Sequence, residues 1–203
     1  MRQLDSPPAA GRRGPKAARG AVADRILDQA RESFAERGYA ATTLQGIARA
    51  AGVNTKLVRY YFASKQALLA ESLAIPDELM QRVRSLSDLP LAQRGEAIVR
   101  THLAAWADPE LARVMRTSLL IAAHEPAAMT KLRAIFAEGL IPAIANGIRP
   151  NELPVRGGLV TAQLLGLAYA RFIFAIDQTA SIPDQKIIKH VGTTIQRYLE
   201  APL

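Results

Sequence analysis

Cysteine is absent from the 203-residue chain, and with it go disulfide scaffolds, thiolate metal sites and cysteine nucleophiles. No stretch sustains the period-two alternation of a half-buried strand, which points to an all-α fold. The motifs of common enzyme chemistries are missing as well. There is no His-Glu-x-x-His zinc helix, no phosphate loop ending in Lys-Ser or Lys-Thr, and no Gly-x-Ser-x-Gly elbow. Gly157-Gly158 lacks the third glycine and the preceding strand that dinucleotide binding needs. The expectation is therefore no catalytic residue, no metal and no cofactor, with an all-helical enzyme as a rival reading. Uninterrupted apolar runs are also lacking. The longest candidate, residues 157–176, is just long enough to span a bilayer, but it carries Gln163 and Arg171. Arginine alone costs about 2.5 to 3.5 kcal/mol at a bilayer centre, so a buried helix at a subunit interface is the expected use and no membrane partner is expected. No apolar segment follows the N-terminal cations, so no secretory signal is expected and the chain reads as cytoplasmic.

What is present is uneven charge. Residues 1–70 hold 12 Lys plus Arg against 5 Asp plus Glu, whereas residues 71–203 hold 14 against 13. Nearly all of the net +8 thus sits in the first third, the asymmetry of a phosphate-binding module. Hydrophobic residues make up 49% of the chain, which excludes a wholly disordered protein.

Within the basic third, residues 42–65 read as two short helices joined by a tight turn at Ala51-Gly52-Val53. Thr42 or Thr43 is the N-cap of the first, and Gln45 stands in capping-box position to Thr42. Leu44, Ile47 and Ala48 share one apolar face, and Gly52 supplies the positive φ that ends the helix. Asn54 caps the second helix, which buries Leu57, Val58, Tyr61 and Phe62 and turns Thr55, Lys56, Arg59 and Tyr60 outward. Such a helix fits a major groove roughly 12 Å wide, so the pair is expected to be a helix-turn-helix DNA reader. A plain helical hairpin is the bland alternative, and a sequence-independent nucleic-acid binder is the other rival.

Around this pair, residues 1–20 read as a flexible basic arm, either a solvated tail or one whose Arg12, Arg13, Lys16 and Arg19 reach an adjacent minor groove. A first helix is expected over about 21–37, with Val22, Ile26, Ala30 and Phe34 four apart and Gly38 ending it. Ser64 starts a fourth helix bearing Leu68, Leu69 and Leu73. Further helices are expected near 90–107, 109–123, 126–148, 152–178 and 182–200, about nine in all, with Pro142 kinking one of them. The helix at 152–178 is apolar on more than one side, with Gly157, Gly158 and Gly166 permitting close approach. The helix at 182–200 carries Ile187, Ile188, Val191, Ile195, Tyr198 and Leu199. Together they form the expected homodimer face, a four-helix arrangement built from two copies.

Several anchors in order, Phe34-Ala35-Glu36-Arg37-Gly38-Tyr39, Thr42-Thr43, Ile47-Ala48, Ala51-Gly52-Val53, and Tyr61-Phe62 through Lys65 to Leu68-Leu69, resemble the TetR family of transcriptional regulators over about residues 21–73. The resemblance implies a homodimer with an N-terminal three-helix reading head (21–66) and a helical C-terminal domain (67–203) that binds a small-molecule effector and dimerises. It implies a palindromic double-stranded DNA operator, repression relieved by the effector, and the helix from Ser64 as the lever. By the same resemblance Thr43, Tyr61 and Lys65 position the DNA backbone, while Thr55, Lys56, Arg59 and Tyr60 face base edges. Two positions depart from the family pattern: Arg59 stands where an aromatic is frequent, and Asn54 where serine is. Tyr60 or Tyr61 then supplies the usual phosphate contact. Candidate effector-pocket residues are His102, Trp106, Met115, Met129, Phe136, Tyr169 and Phe172, each with ordinary core packing as the alternative; His102 and Trp106, which share one helix face, are the better pocket pair. His124 and His190 are expected at the surface or at caps.

Overall fold

A computed structural model describes residues 15–203, with side chains from Gly20 onward. Arg12 and Arg13, and the side chains of Lys16 and Arg19, lie outside the described residues. Among the described residues the chain is all-α. The helices are α1 (Pro15–Ala41), α2 (Leu44–Ala50), α3 (Thr55–Tyr61), α4 (Lys65–Ser72), α5 (Asp77–Arg84), α6 (Arg94–Ala107), α7 (Pro109–Ala122), α8 (Pro126–Ile135), α9 (Ile141–Ala145), α10 (Leu153–Ala168), α11 (Asp177–Ala180) and α12 (Asp184–Glu200). No helix is long and apolar enough to cross a membrane among these residues.

Three features differ from the sequence expectation. First, α1 begins at Pro15 rather than near Ala21, so residues 15–20 are helical and not part of an irregular arm. Proline presets the first helical φ, and the Lys, Ala, Ala and Arg that follow are strong helix formers. Secondly, α5 and the four-residue α11 were not anticipated. Thirdly, two helices carry π turns. Phe136–Leu140 joins α8 to α9, with the Ile141 N–H donating to the Phe136 carbonyl, and Tyr169–Ile173 extends α10, with Phe174 N–H donating to Tyr169 at 2.8 Å. The first π turn directly precedes Pro142, whose missing N–H forces the local adjustment expected of it.

The molecule has two principal cores. In the first, Ile26, Ala30 and Phe34 of α1 meet Ile47 and Ala48 of α2, Val58 of α3, and Leu68, Leu69 and Leu73 of α4. Ile121 and Ala122 at the end of α7 and Ala128 of α8 complete it. Thr42 is buried here, its hydroxyl donating to the carbonyls of Ser33 at 3.0 Å and Gly38 at 2.8 Å. Those bonds hold the α1–α2 corner, where Gly38 takes φ 74°.

The second core joins Ile98, Val99 and Leu103 of α6 to Ile144 of α9, Val160 and Leu164 of α10, and Ile187, Ile195 and Leu199 of α12. Here α6 and α12 touch backbone to backbone: a Cβ at Gly95 would collide with the Gly192 carbonyl, and one at Gly192 would stand 2.8 Å from Glu96 Cα. Gln196 locks the crossing, accepting from Gly95 N–H at 2.8 Å and donating to the Leu91 carbonyl at 2.9 Å. Two buried arginines pin the periphery. Arg94 donates to the carbonyls of Ser87, Leu89, Ile144 and Asn146. Arg156 pairs with Glu152 at 2.8 Å and reaches the carbonyls of Tyr198 and Ala201, tying α10 to the end of α12.

Gly95→Ala is expected to destabilise the protein by about 1 to 3 kcal/mol, because the α6–α12 crossing has no room for a methyl group. Urea unfolding monitored by circular dichroism measures it.

Candidate DNA-reading head and effector cavity

The reading head is set by three side-chain caps. Thr43 Oγ1 accepts from Gly46 N–H at 3.0 Å, Asn54 Oδ1 from Leu57 N–H at 2.8 Å, and Ser64 Oγ from Ala67 N–H at 3.0 Å. Of the two threonines offered as the first cap, Thr43 serves and Thr42 is buried instead, so Gln45 has no capping role opposite Thr42. Gly52 takes φ 66° in the turn between α2 and α3, a conformation that penalises any Cβ. Val58 and Phe62 anchor α3 in the head core, with Leu57 and Tyr61 half-buried beside them.

This leaves Lys56, Arg59 and Tyr60 exposed on one helix, Tyr60 at 68%. Thr55 is half-buried at the helix start. Neither Lys56 nor Arg59, nor Arg49 at the end of α2, forms an ion pair with another described residue. The Tyr60 and Tyr61 rings meet edge to face at 5.3 Å, which fixes the two hydroxyls relative to each other. Lys65 is engaged within the head: its ammonium stands 4.2 Å from the Tyr39 ring centroid and donates to the Ala40 carbonyl at 3.3 Å. Asn54 Oδ1 likewise accepts the cap bond, and its amide N–H groups remain to donate to another partner.

Beneath the head, α5 through α8 and α10 enclose an apolar cavity of about 140 Å³. His102, Trp106, Met115 and Phe136 line it, as expected. Met129, Tyr169 and Phe172 do not. Met129 packs on the head core. Tyr169 donates its hydroxyl to the Leu119 carbonyl at 3.0 Å. Phe172 stacks at 4.5 Å against Trp106, from outside the wall. Wall residues that sequence reasoning missed include Leu79 and Met80 on the unanticipated α5, and Thr101 and Ser118. Leu132 of α8 lines the cavity and also packs against the head core. Burial holds the His102 imidazole neutral, pushing its pKa from 6.5 down to about 4. His124 and His190 are exposed.

Head and cavity are joined at the surface as well. Asp28 of α1 accepts from Arg31 at 2.9 Å and pairs with Arg113 of α7 at 3.1 Å, while Arg31 Nε donates to the Ser72 carbonyl at the end of α4. A basic, capped helix-turn-helix seated on a helical body that encloses an apolar chamber defines a ligand-responsive DNA-binding regulator. The sequence matches family models in both parts: "Bacterial regulatory proteins, tetR family" over residues 26–72 and "Tetracyclin repressor-like, C-terminal domain" over residues 92–199. The chain belongs to the TetR family of transcriptional regulators.

Solved structures agree in fold. A TetR-family regulator from Streptomyces coelicolor is 28% identical, with 93% of this chain and 99% of that one covered and a TM-score of 0.64. NalD, the secondary repressor of the MexAB-OprM multidrug efflux pump in Pseudomonas aeruginosa, is 21% identical, with 91% and 98% covered and a TM-score of 0.67. The multidrug binding protein EbrR, solved in complex with imidazole, is 21% identical, with 93% of each chain covered and a TM-score of 0.64. Among curated proteins, none matches the sequence.

Two outcomes are expected. Asn54→Ala removes the cap of α3 and lowers stability by about 1 kcal/mol, measurable by thermal unfolding. His102 has a folded pKa below its unfolded value, so the unfolded state takes up more protons as pH falls. Its contribution is full above pH 6.5 and is lost progressively toward about pH 4. Wild type should therefore lose up to about 3 kcal/mol across that window relative to His102→Leu, in urea titrations run at each pH.

Proposed function

We infer that the protein is a homodimeric repressor whose paired α3 helices read a near-palindromic operator and which an effector in the body cavity releases from DNA. Two heads about 34 to 36 Å apart occupy successive major grooves of one duplex face. An effector that binds better to a state with different head spacing shifts the population away from the DNA-bound form. The observation that carries this reading is α3 itself: a capped helix with Val58 and Phe62 buried and Lys56, Arg59 and Tyr60 free on the opposite side.

Within the head, Arg59 reads guanine through O6 and N7, with Thr55, Lys56 and Tyr60 beside it at base edges. Thr43, Asn54, Tyr61 and Lys65 hold the phosphate backbone. Because the Lys65 ammonium already bonds to Ala40, it offers its remaining N–H groups. The seating of α4 in the head core supports counting it with the head, and the corner between α7 and α8 joins it in transmitting a change from the cavity. Leu132, which lines the cavity and packs against the head core, is a side chain through which a bound effector presses on the head.

The dimer face is the outer side of α10 beside α12, with α10 supplying the apolar surface: Ile187, Ile188, Ile195 and Leu199 of α12, expected at that face, are buried in the second core instead, with Val191 and Tyr198 packed against it. Val155 is 54% exposed, Leu159 37% and Phe174 67%, and a Cβ at Gly158 or Gly166 would meet nothing within 4 Å. An apolar, small-residue stripe of this kind supports close helix approach between two copies. DNA binding implies action in the cytoplasm.

Selection from random DNA tests the reading: a half-site repeated with two-fold symmetry, bound at least ~10³-fold more tightly than random sequence, is expected, and failure to enrich any site favours a sequence-independent binder. Arg59→Ala should relax preference at one base pair per half-site, by about 1 to 3 kcal/mol. Uniform weakening over all sequences would move Arg59 to a phosphate. Leu159→Glu should convert the dimer to monomer in sedimentation equilibrium while leaving the helical content unchanged.

A further inference from the structure

The cavity is almost entirely apolar, yet two of its wall residues carry buried nitrogens with no hydrogen-bond partner: His102 Nε2 and Trp106 Nε1. They belong to adjacent turns of α6, and their rings lie 6.4 Å apart at 64° to each other. An orphaned buried polar atom forgoes the bond it would make in water, which is why most such atoms in folded proteins find a partner. Here the protein offers none. Ser118, also in the cavity wall, donates its hydroxyl to the Val114 carbonyl at 2.9 Å and bonds to neither nitrogen, and the Phe172 ring stacks on a face of the Trp106 indole without accepting a proton from its edge. No Asp, Glu, Lys or Arg lines the cavity, so a ligand ion of either sign would sit there uncompensated. His102, held neutral by its burial, adds no charge of its own.

We propose that the effector is an uncharged, mainly apolar molecule carrying a carbonyl or hydroxyl oxygen that bonds to Trp106 Nε1 and His102 Nε2. The indole N–H only donates, so the ligand atom it meets is an acceptor. A neutral imidazole presents either an N–H or a lone pair at Nε2, so a carbonyl oxygen accepts from both residues, and a hydroxyl accepts from Trp106 while donating to His102. The rest of the molecule fills space between Leu79, Met80, Met115, Phe136 and Leu165. Cationic and carboxylate ligands are excluded by the uncharged wall. The assignment rests on the reading of this cavity as the effector site.

The sign of one comparison separates this site from a merely greasy hole. An apolar cavity without a donor prefers a hydrocarbon to its oxygenated counterpart, because the carbonyl loses its water and gains nothing. A cavity with two unpaired nitrogens reverses the order. The full-length protein is titrated calorimetrically with phenyl alkyl ketones from acetophenone to hexanophenone, the matching alkylbenzenes and the matching phenylalkylammonium ions, and melting temperatures are followed in parallel. The expected result is that ketones of the size that fits bind at least ~10-fold more tightly than their alkylbenzenes, while the ammonium ions bind weakest. His102→Leu and, separately, Trp106→Phe should each reduce the ketone preference; the wild-type comparison stands without them if either variant fails to fold. Alkylbenzenes binding as well as or better than ketones overturns the oxygen assignment while leaving the cavity as a ligand site. Ammonium ions binding tightest overturns the exclusion of charge. If no member of the three series binds or raises the melting temperature, the effector-site reading falls, and this inference with it.

Discussion

Ile121, Ala122 and Ala128 lie in the body by sequence and in the head by packing. Their burial against α1 and α4 fixes how the reading helix is carried. The surface pairs that accompany the joint are weak by comparison: Asp28 and Arg113 are each more than a third exposed, and pairs of that kind contribute roughly 0 to 1 kcal/mol. The joint is therefore a piece of close-packed interior, and such interiors transmit displacement because they compress little. Leu132, touching both the cavity and the head core, places the cavity one side chain away from that joint. A displacement at the cavity thus reaches the head without a long chain of polar contacts.

The far side of the body is built for the opposite purpose. Arg94 gathers four carbonyls from the α5–α6 connection and the end of α9, Arg156 binds α10 to the end of α12, and Gly95 and Gly192 let α6 and α12 touch. These devices hold one end of α6 rigid, while its other end carries His102 and Trp106 into the cavity. A fixed platform on one side and an unfilled chamber on the other is a division of labour within a single helix.

How much of this was legible in the sequence follows from the range of the interactions involved. The caps at Thr43, Asn54 and Ser64 and the turn at Gly52 depend on neighbours within four residues, so the head could be read residue by residue. Thr42 and Thr43 both satisfy the local rule, and the carbonyls of Ser33 and Gly38 at the end of α1, which take the Thr42 hydroxyl, decide between them. Helix α5 escaped notice because its eight residues include four charged ones and bury little beyond Leu79. The body was legible as helices but not as a pocket. The π turn that starts at Tyr169 inserts one residue, slipping the helical phase beyond it by about 100°, so Phe172 lies off the wall that α-helical spacing brings it toward, while Tyr169 is committed to the Leu119 carbonyl. Arg94 and Arg156 gave no signal at all, since their carbonyl acceptors lie up to 52 residues away.

Trp106 is the only tryptophan in the chain. It stands in the cavity wall, stacked on Phe172 and with its indole N–H unpaired. Nearly all long-wavelength ultraviolet emission from this molecule therefore originates at a single indole facing the chamber. The protein is its own optical gauge of what occupies that chamber, without a label and without a background from the reading head.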